Sequence, residues 1–194
     1  MGQAALRIGL SEEEYLAFER AADERHEYAD GEIFAMSGGT WEHSLIAANI
    51  LRELSTAVLD RPCSASGADM RIQIPATKRY TYSDVLVVCG QPVFTDEKHD
   101  TLINPVVIVE VLSDSTESYD RGDKFEQYET IPSLRDYVLV SQKKARIEHF
   151  VRESGGTWQR RVAGAGERVT FESIGCEIEV DRAYLKVFGA RESA

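Results

Sequence analysis

An α+β domain, with a mixed central β-sheet flanked by helices and a C-terminal β-meander, is the fold class that this chain predicts. Three observations lead there. Apolar residues recur at helical spacing over 11–23, 40–59 and 118–130; short β-branched runs occupy 70–74, 82–88 and 106–112; and beyond residue 145 short alternating runs are separated by glycine turns. At 194 residues the chain fits one compact core, taken here as a single domain over 11–190 with flexible ends at 1–10 and 191–194.

The elements follow in order. Ser11 before Glu12, Glu13 and Glu14 reads as an N-cap with acids in the first turn, and Tyr15, Phe18 and Ala22 supply the apolar stripe of a first helix. Asp30-Gly31, between Tyr28 and Ile33-Phe34-Ala35-Met36, marks a sharp hairpin. A long amphipathic helix over 40–59 carries Leu45, Ile46, Ile50 and Leu54 toward a sheet, with Trp41 and His43 in its first turn. Strands at 70–74, 82–88 and 106–112 form the centre of that sheet. The helix at 118–130 and a strand at 136–140 then imply a right-handed crossover between parallel neighbours. Runs at 146–151, 158–162, 169–171 and 177–180 make the meander.

Composition excludes several classes. Hydrophobic residues at 43% and charged residues at 28% are ordinary for a globular protein. No apolar stretch reaches the roughly 20 residues of a membrane helix, and the N-terminus lacks an export signal, so a cytoplasmic protein is expected. Cys63, Cys89 and Cys176 are widely spaced and show no CxxC pattern, which argues against a disulfide framework or a zinc site and suits a reducing compartment. A net charge of −11 argues against tight nonspecific binding to a duplex; the basic clusters Lys78-Arg79, Lys143-Lys144 with Arg146, and Arg160-Arg161 read first as solvated faces.

Two acids stand out chemically. Glu110 interrupts Val106-Val107-Ile108-Val109-Glu110-Val111-Leu112, a run apolar enough to be buried on both faces. A lone buried carboxylate costs on the order of 5 kcal/mol unless a cation or hydrogen-bond donors compensate it. Asp84 leads the next such run, and antiparallel pairing of the two strands through the loop around 90–104 would bring both acids to one end. Two carboxylates suit magnesium, which takes one or two protein acids and fills its shell with water and phosphate oxygens. The competing explanation is structural: Asp84 caps a strand end and Glu110 pairs with Arg71 or Arg121. Lys124, four residues beyond Asp120, is either a surface i,i+4 partner or an ammonium turned toward the carboxylates. His43 is a candidate general base or partner of the acids, and Glu32 a candidate ligand or supporting acid.

The order His26-Glu27-Tyr28-Ala29-Asp30-Gly31-Glu32, Ser37-Gly38-Gly39-Thr40 with His43, Tyr82-Ser83-Asp84-Val85, Asn104-Pro105 leading to Glu110-Val111-Leu112-Ser113, and Asp120-Arg121-Gly122-Asp123-Lys124 resembles the Uma family of restriction-endonuclease-like proteins, within the PD-(D/E)XK nuclease superfamily. The resemblance covers almost the whole chain. It implies a restriction-endonuclease-like core, a magnesium-dependent site (manganese substituting) that hydrolyses DNA phosphodiester bonds, and often a homodimer. It places the two metal-holding acids on Asp84 and Glu110. The superfamily's strand lysine is replaced here by Leu112, and the resemblance moves that role to Lys124; Ser83 and Asp114 stand where the family usually has proline. Two functional readings remain open from sequence. One is a metal-dependent endodeoxyribonuclease. The other is a nuclease fold kept as a noncatalytic binding or regulatory module, favoured by the acidic charge and the displaced lysine. For a dimer interface the candidates are Trp158, Phe171, Tyr184 and Phe188.

Overall fold

The computed structural model describes residues 5–36 and 38–188, so the tail at 191–194 and Ser37 of the glycine turn lie outside the described residues. In chain order the elements are α1 Glu12–Glu19, β1 His26–Ala29, β2 Glu32–Ala35, α2 Trp41–Ala57, β3 Cys63–Gly67, β4 Arg71–Ile74, β5 Arg79–Tyr82, β6 Val85–Cys89, β7 Thr101–Leu102 and β8 Val107–Leu112. They continue with α3 Glu117–Arg121, α4 Asp123–Tyr128, β9 Asp136–Ser141, β10 Arg146–Arg152, β11 Trp158–Gly164, β12 Arg168–Phe171, β13 Cys176–Glu179 and α5 Val180–Ala183.

A six-stranded sheet in the order β11-β10-β9-β8-β6-β3 forms the centre, with β8 and β9 parallel and the other neighbours antiparallel. Side chains of β8 alternate between two cores, as the period of a strand requires. Val107, Val109 and Val111 pack with Ile46, Ile50 and Leu54 of α2, whereas Ile108 and Leu112 pack with Tyr128, Ile131 and Leu134 at and after α4. Glu110 therefore faces the α4 layer. A second sheet, β2-β1-β5-β4-β7, lies alongside and shares a smaller core with α1, in which Tyr15, Tyr28 and Tyr80 pack ring against ring.

Local chemistry explains most boundaries. Ser11 and Glu14 form a reciprocal capping box that starts α1, which ends at Glu19, four residues short of the predicted 11–23. The β1–β2 hairpin turns on Asp30 and Gly31, both with positive φ (48° and 88°), the pattern that matches strand twist. Leu6 and Leu10, placed outside the domain by the sequence, donate backbone hydrogen bonds to Ile33 and Gly31 beside this hairpin.

Three differences from the sequence reading bear on the site. The run at 82–88 is not one strand: the chain leaves the second sheet after Tyr82 and enters the central sheet at Val85, so Ser83 and Asp84 form the seam between sheets. The helix at 118–130 divides at Gly122 (φ −113°, ψ −103°) into α3 and α4. The meander also divides: β10 and β11 extend the central sheet, while β12–β13 form a separate hairpin whose Val169, Phe171 and Ile178 join the core under α2.

Two further expectations are corrected. Cys63 and Cys89 stand directly opposite each other in the β3–β6 register and are joined by a disulfide, leaving Cys176 as the free cysteine. The sequence separation of 26 hid a pairing that only strand register brings about. The aromatics assigned to a dimer interface are mostly internal. Phe171 and Tyr184 are buried and Trp158 stacks edge-on against Phe125, so only Phe188 of that set is an exposed aromatic.

Arginine placement gives the fold an acid-sensitive anchor. Buried Glu148 of β10 receives Arg121 from α3, Arg160 from β11 and Arg146 of its own strand, at 2.9, 2.5 and 3.3 Å. Burial alone would raise its pKa, but the hydrogen bonds from Arg121 and Arg160 outweigh burial and hold it down at about 2. A carboxylate whose folded pKa is depressed stabilises the fold above its unfolded value and loses that contribution as pH falls through the folded one. Because the arginines are partly solvated, we expect about 2 kcal/mol of stability to be lost between roughly pH 4.5 and 2, and this loss to be absent from Glu148→Gln. Urea denaturation at stepped pH measures both curves; superimposable slopes would exclude the anchor.

Candidate functional site

The site assembles at the seam between the two sheets. Antiparallel register pairs Val85 with Val109, so the preceding Asp84 falls beside Glu110 at one end of the β6–β8 pair. The seam bend turns Asp84 inward, where its Oδ2 accepts a hydrogen bond from the Val111 N–H at 2.7 Å. Ser83 is buried there, and its hydroxyl has no hydrogen-bond partner among the described residues.

Lys124 ties the seam together. It is only 7% exposed, and its Nζ lies 2.9 Å from Glu110 Oε1 on β8, 3.1 Å from the Tyr82 carbonyl on β5 and 3.6 Å from Glu27 on β1. Asp120, the i,i+4 partner on α3, is 3.8 Å away. The break at Gly122 lets α3 and α4 present Asp120 and Lys124 to the same place. Tyr128, one turn further along α4, donates its hydroxyl hydrogen to Glu110 at 3.0 Å. Arg71 and Arg121, the alternative partners for Glu110, are engaged elsewhere: Arg71 with Thr101 and Asp100, Arg121 with Glu117 and Glu148.

His43 approaches from the other layer. Thr40 caps α2 by accepting the His43 N–H, and the ring's Nε2 lies 3.3 Å from Asp84 Oδ2. Gly39 makes room for it, since a Cβ there would lie 2.8 Å from the ring nitrogen Nδ1. Glu32 does not join this group. It sits at an exposed position of β2, across the hairpin turn from Ala29. Two further acids do join it: Glu27, which sequence reasoning left without a role, and Asp120, which it read as an i,i+4 surface partner of Lys124.

Crowding sets the electrostatics. Four acids (Glu27, Asp84, Glu110, Asp120) surround one lysine and one histidine. Burial raises Glu110 well above the ordinary carboxylate value, Asp120 and Asp84 add to the rise, and Lys124 only partly opposes it. Asp120 is raised chiefly by burial as well. Burial works to lower Lys124, but Glu110, Tyr128 and Glu27 more than reverse it, so the ammonium stays charged. His43 is raised, first by its hydrogen bond to Asp84, against the effect of burial. The cluster is short of positive charge, which is the condition a divalent cation would relieve.

The donor set fits such a cation. Among the described residues no hydrogen bond is made to Glu110 Oε2 or Asp84 Oδ1, while the other oxygen of each is held by Tyr128 and Lys124 or by Val111. No group of three or more His, Cys, Asp or Glu side chains is gathered as a ready-made metal cage among the described residues. Magnesium seldom uses one, keeping several waters and one or two carboxylates.

Known proteins agree with this architecture. A solved structure titled as a putative nuclease belonging to DUF820, from Anabaena variabilis, superposes with a TM-score of 0.75 over 93% of this chain and 100% of that one, at 14% identity. The fold is thus restriction-endonuclease-like, a mixed sheet between helical layers with its acids at the seam. The chain belongs to the Uma2 family, described as putative restriction endonuclease, whose model matches residues 12–182. Two relatives from Synechocystis sp. align nearly end to end: the uncharacterized protein slr1290, 40% identical over 90% of this chain and 91% of its own length, and the uncharacterized protein sll1609, 33% identical over 92% and 95%.

Proposed function

We propose that this protein is a magnesium-dependent endonuclease that hydrolyses DNA phosphodiester bonds at the β6–β8 seam. The observation that carries the reading is the juxtaposition of Asp84 and Glu110, each with one carboxylate oxygen that receives no hydrogen bond among the described residues, at the end of one strand pair in a chain of the Uma2 family. Asp84 and Glu110 would hold the cation. When bound, it supplies charge neutralisation for the phosphate and acidifies a coordinated water.

The side chains divide the remaining work. Lys124 directs its N–H groups at Glu110, Tyr82 and Glu27, so its first task is positioning: it partly opposes the effect of burial on Glu110 and fixes the carboxyl in place. Tyr128 steadies the same oxygen. His43, oriented by Asp84 and packed on Gly39, is the group placed to take a proton from an attacking water. Manganese is expected to substitute for magnesium, since both accept oxygen ligands.

Purified protein with magnesium is expected to cut single-stranded or supercoiled DNA, and Asp84→Ala to reduce cutting by at least about 10²-fold, the scale of losing one electrostatic group from a catalytic site. Equal cleavage by Asp84→Ala would exclude the reading. Absence of both cleavage and saturable magnesium binding would instead favour the noncatalytic module, which Leu112 at the strand-lysine position supports.

A further inference from the structure

We infer that the arginines gathered on buried Glu148 form a docking site for a phosphodiester of the nucleic-acid backbone, a few nucleotides from the one that is cut. The inference rests on the nuclease reading above and names how its substrate is held.

Strand register fixes the place. Glu110 on β8 pairs with Leu139 on β9, Leu139 pairs with Glu148 on β10, and Glu148 pairs with Val162 on β11. Side chains paired across strands point to one face, so Glu148 lies on the same face as Glu110, two strands or roughly 10 Å away. That is roughly three nucleotides at about 3.4 Å of rise each. α3 bridges the interval: its Asp120 turns to Lys124 in the seam, and the next residue, Arg121, turns to Glu148.

Charge identifies the occupant. Glu148 is 4% exposed, and its two oxygens receive more than they need. Arg160 reaches Oε2 with Nε at 2.7 Å and Nη2 at 2.5 Å, and Arg121 takes Oε1 at 2.9 Å. Arg146 adds a third guanidinium on Oε1 at 3.3 Å. Arg152, on the same face of β10, donates to the Ile131 carbonyl and pairs with no acid among the described residues. The acids that these four cations pair with are Glu148 and, through Arg121, Glu117. Two positive charges are left over, in a chain whose net charge is −11. Neighbouring guanidiniums repel, and an anion with several acceptor oxygens relieves them; phosphate matches their forked N–H groups. The side chains of Arg121, Arg146 and Arg160 are 34, 36 and 50% exposed, so N–H groups not used on Glu148 reach solvent while the buried carboxylate holds the heads in place. Lys78, Arg79 and Lys144 also pair with no acid among the described residues, but no buried carboxylate gathers them. A merely solvated face, the reading that sequence gave Arg146 and Arg160, has no use for a buried hub. Arginines that served Glu148 alone need not number three.

Arg146→Gln is the variant of choice, because Arg121 and Arg160 still hold Glu148 in it. Binding of a labelled DNA oligomer is followed by anisotropy at stepped salt, with calcium replacing magnesium to hold off cleavage, and urea midpoints confirm that each variant is folded. Arg146→Gln should lower the slope of log affinity against log salt by about 0.7–0.9, Arg160→Gln should do the same, and Arg146→Lys should restore it. Magnesium binding by calorimetry should be unchanged in both glutamine variants. In cleavage, KM should rise while kcat holds within about twofold. Equal slopes for wild type and both glutamine variants would overturn the inference, as would failure of the wild type to bind the oligomer. Displacement of the oligomer by micromolar inorganic phosphate would assign the arginines to a small free anion and overturn it too. A slope lost with Arg146, but no cleavage in magnesium or manganese, would remove the nuclease reading and leave the phosphate site standing. Cleavage that depends on Asp84, with KM unchanged in both glutamine variants, would do the reverse.

Discussion

Lys124→Met is expected to destabilise the protein by about 3–5 kcal/mol at neutral pH, because it deletes the cation within reach of three acids and leaves their charges behind. Glu110 and Asp120 are buried at 4% and 3% exposure and cannot turn to water, and Glu27 is held against Thr81. Methionine fills most of the volume of the lysine stem, so the loss reports charge and not a cavity. Set against the 5–15 kcal/mol typical of a whole domain, a change of this size lowers the melting temperature by about 10 °C or more. Two signatures separate it from simple misfolding. The penalty shrinks as pH falls, since protonating the acids removes the unpaired charge. Adding Glu110→Gln to Lys124→Met recovers part of the loss, because the amide needs no cation. A single variant within 1 kcal/mol of wild type would show that water or rearranged side chains satisfy the acids, and the seam would lose its central tie.

How much of this was legible in the sequence depended on what kind of physical signal each residue carried. Asp84 and Glu110 announced themselves because an acid in a run of Val, Ile and Leu has no cheap place to go, and the long α2 announced itself by periodicity. The split at Ser83-Asp84 did not, since Tyr82 and Val85 both favour strands and only the tertiary arrangement assigns them to different sheets. Glu27 was read past, and Asp120 read as a surface partner of Lys124, for a similar reason. Each lies in a short polar segment where an acid is ordinary, and its importance comes from a lysine that is distant in sequence or across a helix break. The Cys63–Cys89 disulfide and the internal use of Phe171 and Tyr184 likewise depend on register and packing that composition does not encode. Resemblance to the Uma family supplied the frame, and the register of β6 against β8 supplied the geometry.

Glu110→Gln should separate function from stability more cleanly than any other change. The side chain keeps its shape, and the amide oxygen can still accept from Tyr128 and Lys124, so the packing of β8 against α4 is preserved. What disappears is a buried charge that burial, Asp120 and Asp84 all oppose. A carboxyl whose folded pKa is raised binds its proton more tightly in the native state, so native stability falls as pH climbs from the unfolded value through the folded one. In metal-free buffer the wild type should therefore lose stability above about pH 4.5 through this group, and Glu110→Gln should lack that loss and equal or exceed the wild type near pH 8. The same substitution removes one of the two oxygens offered to a cation. Calorimetry should show magnesium binding abolished, and cleavage should fall at least about 10²-fold. A more stable protein that no longer binds metal is the behaviour of a residue kept for chemistry at the expense of the fold. Were Glu110→Gln instead to lose several kcal/mol while metal binding persisted, Glu110 would be a structural partner of Lys124, and the cation would have to be held by Asp84 with some other neighbour.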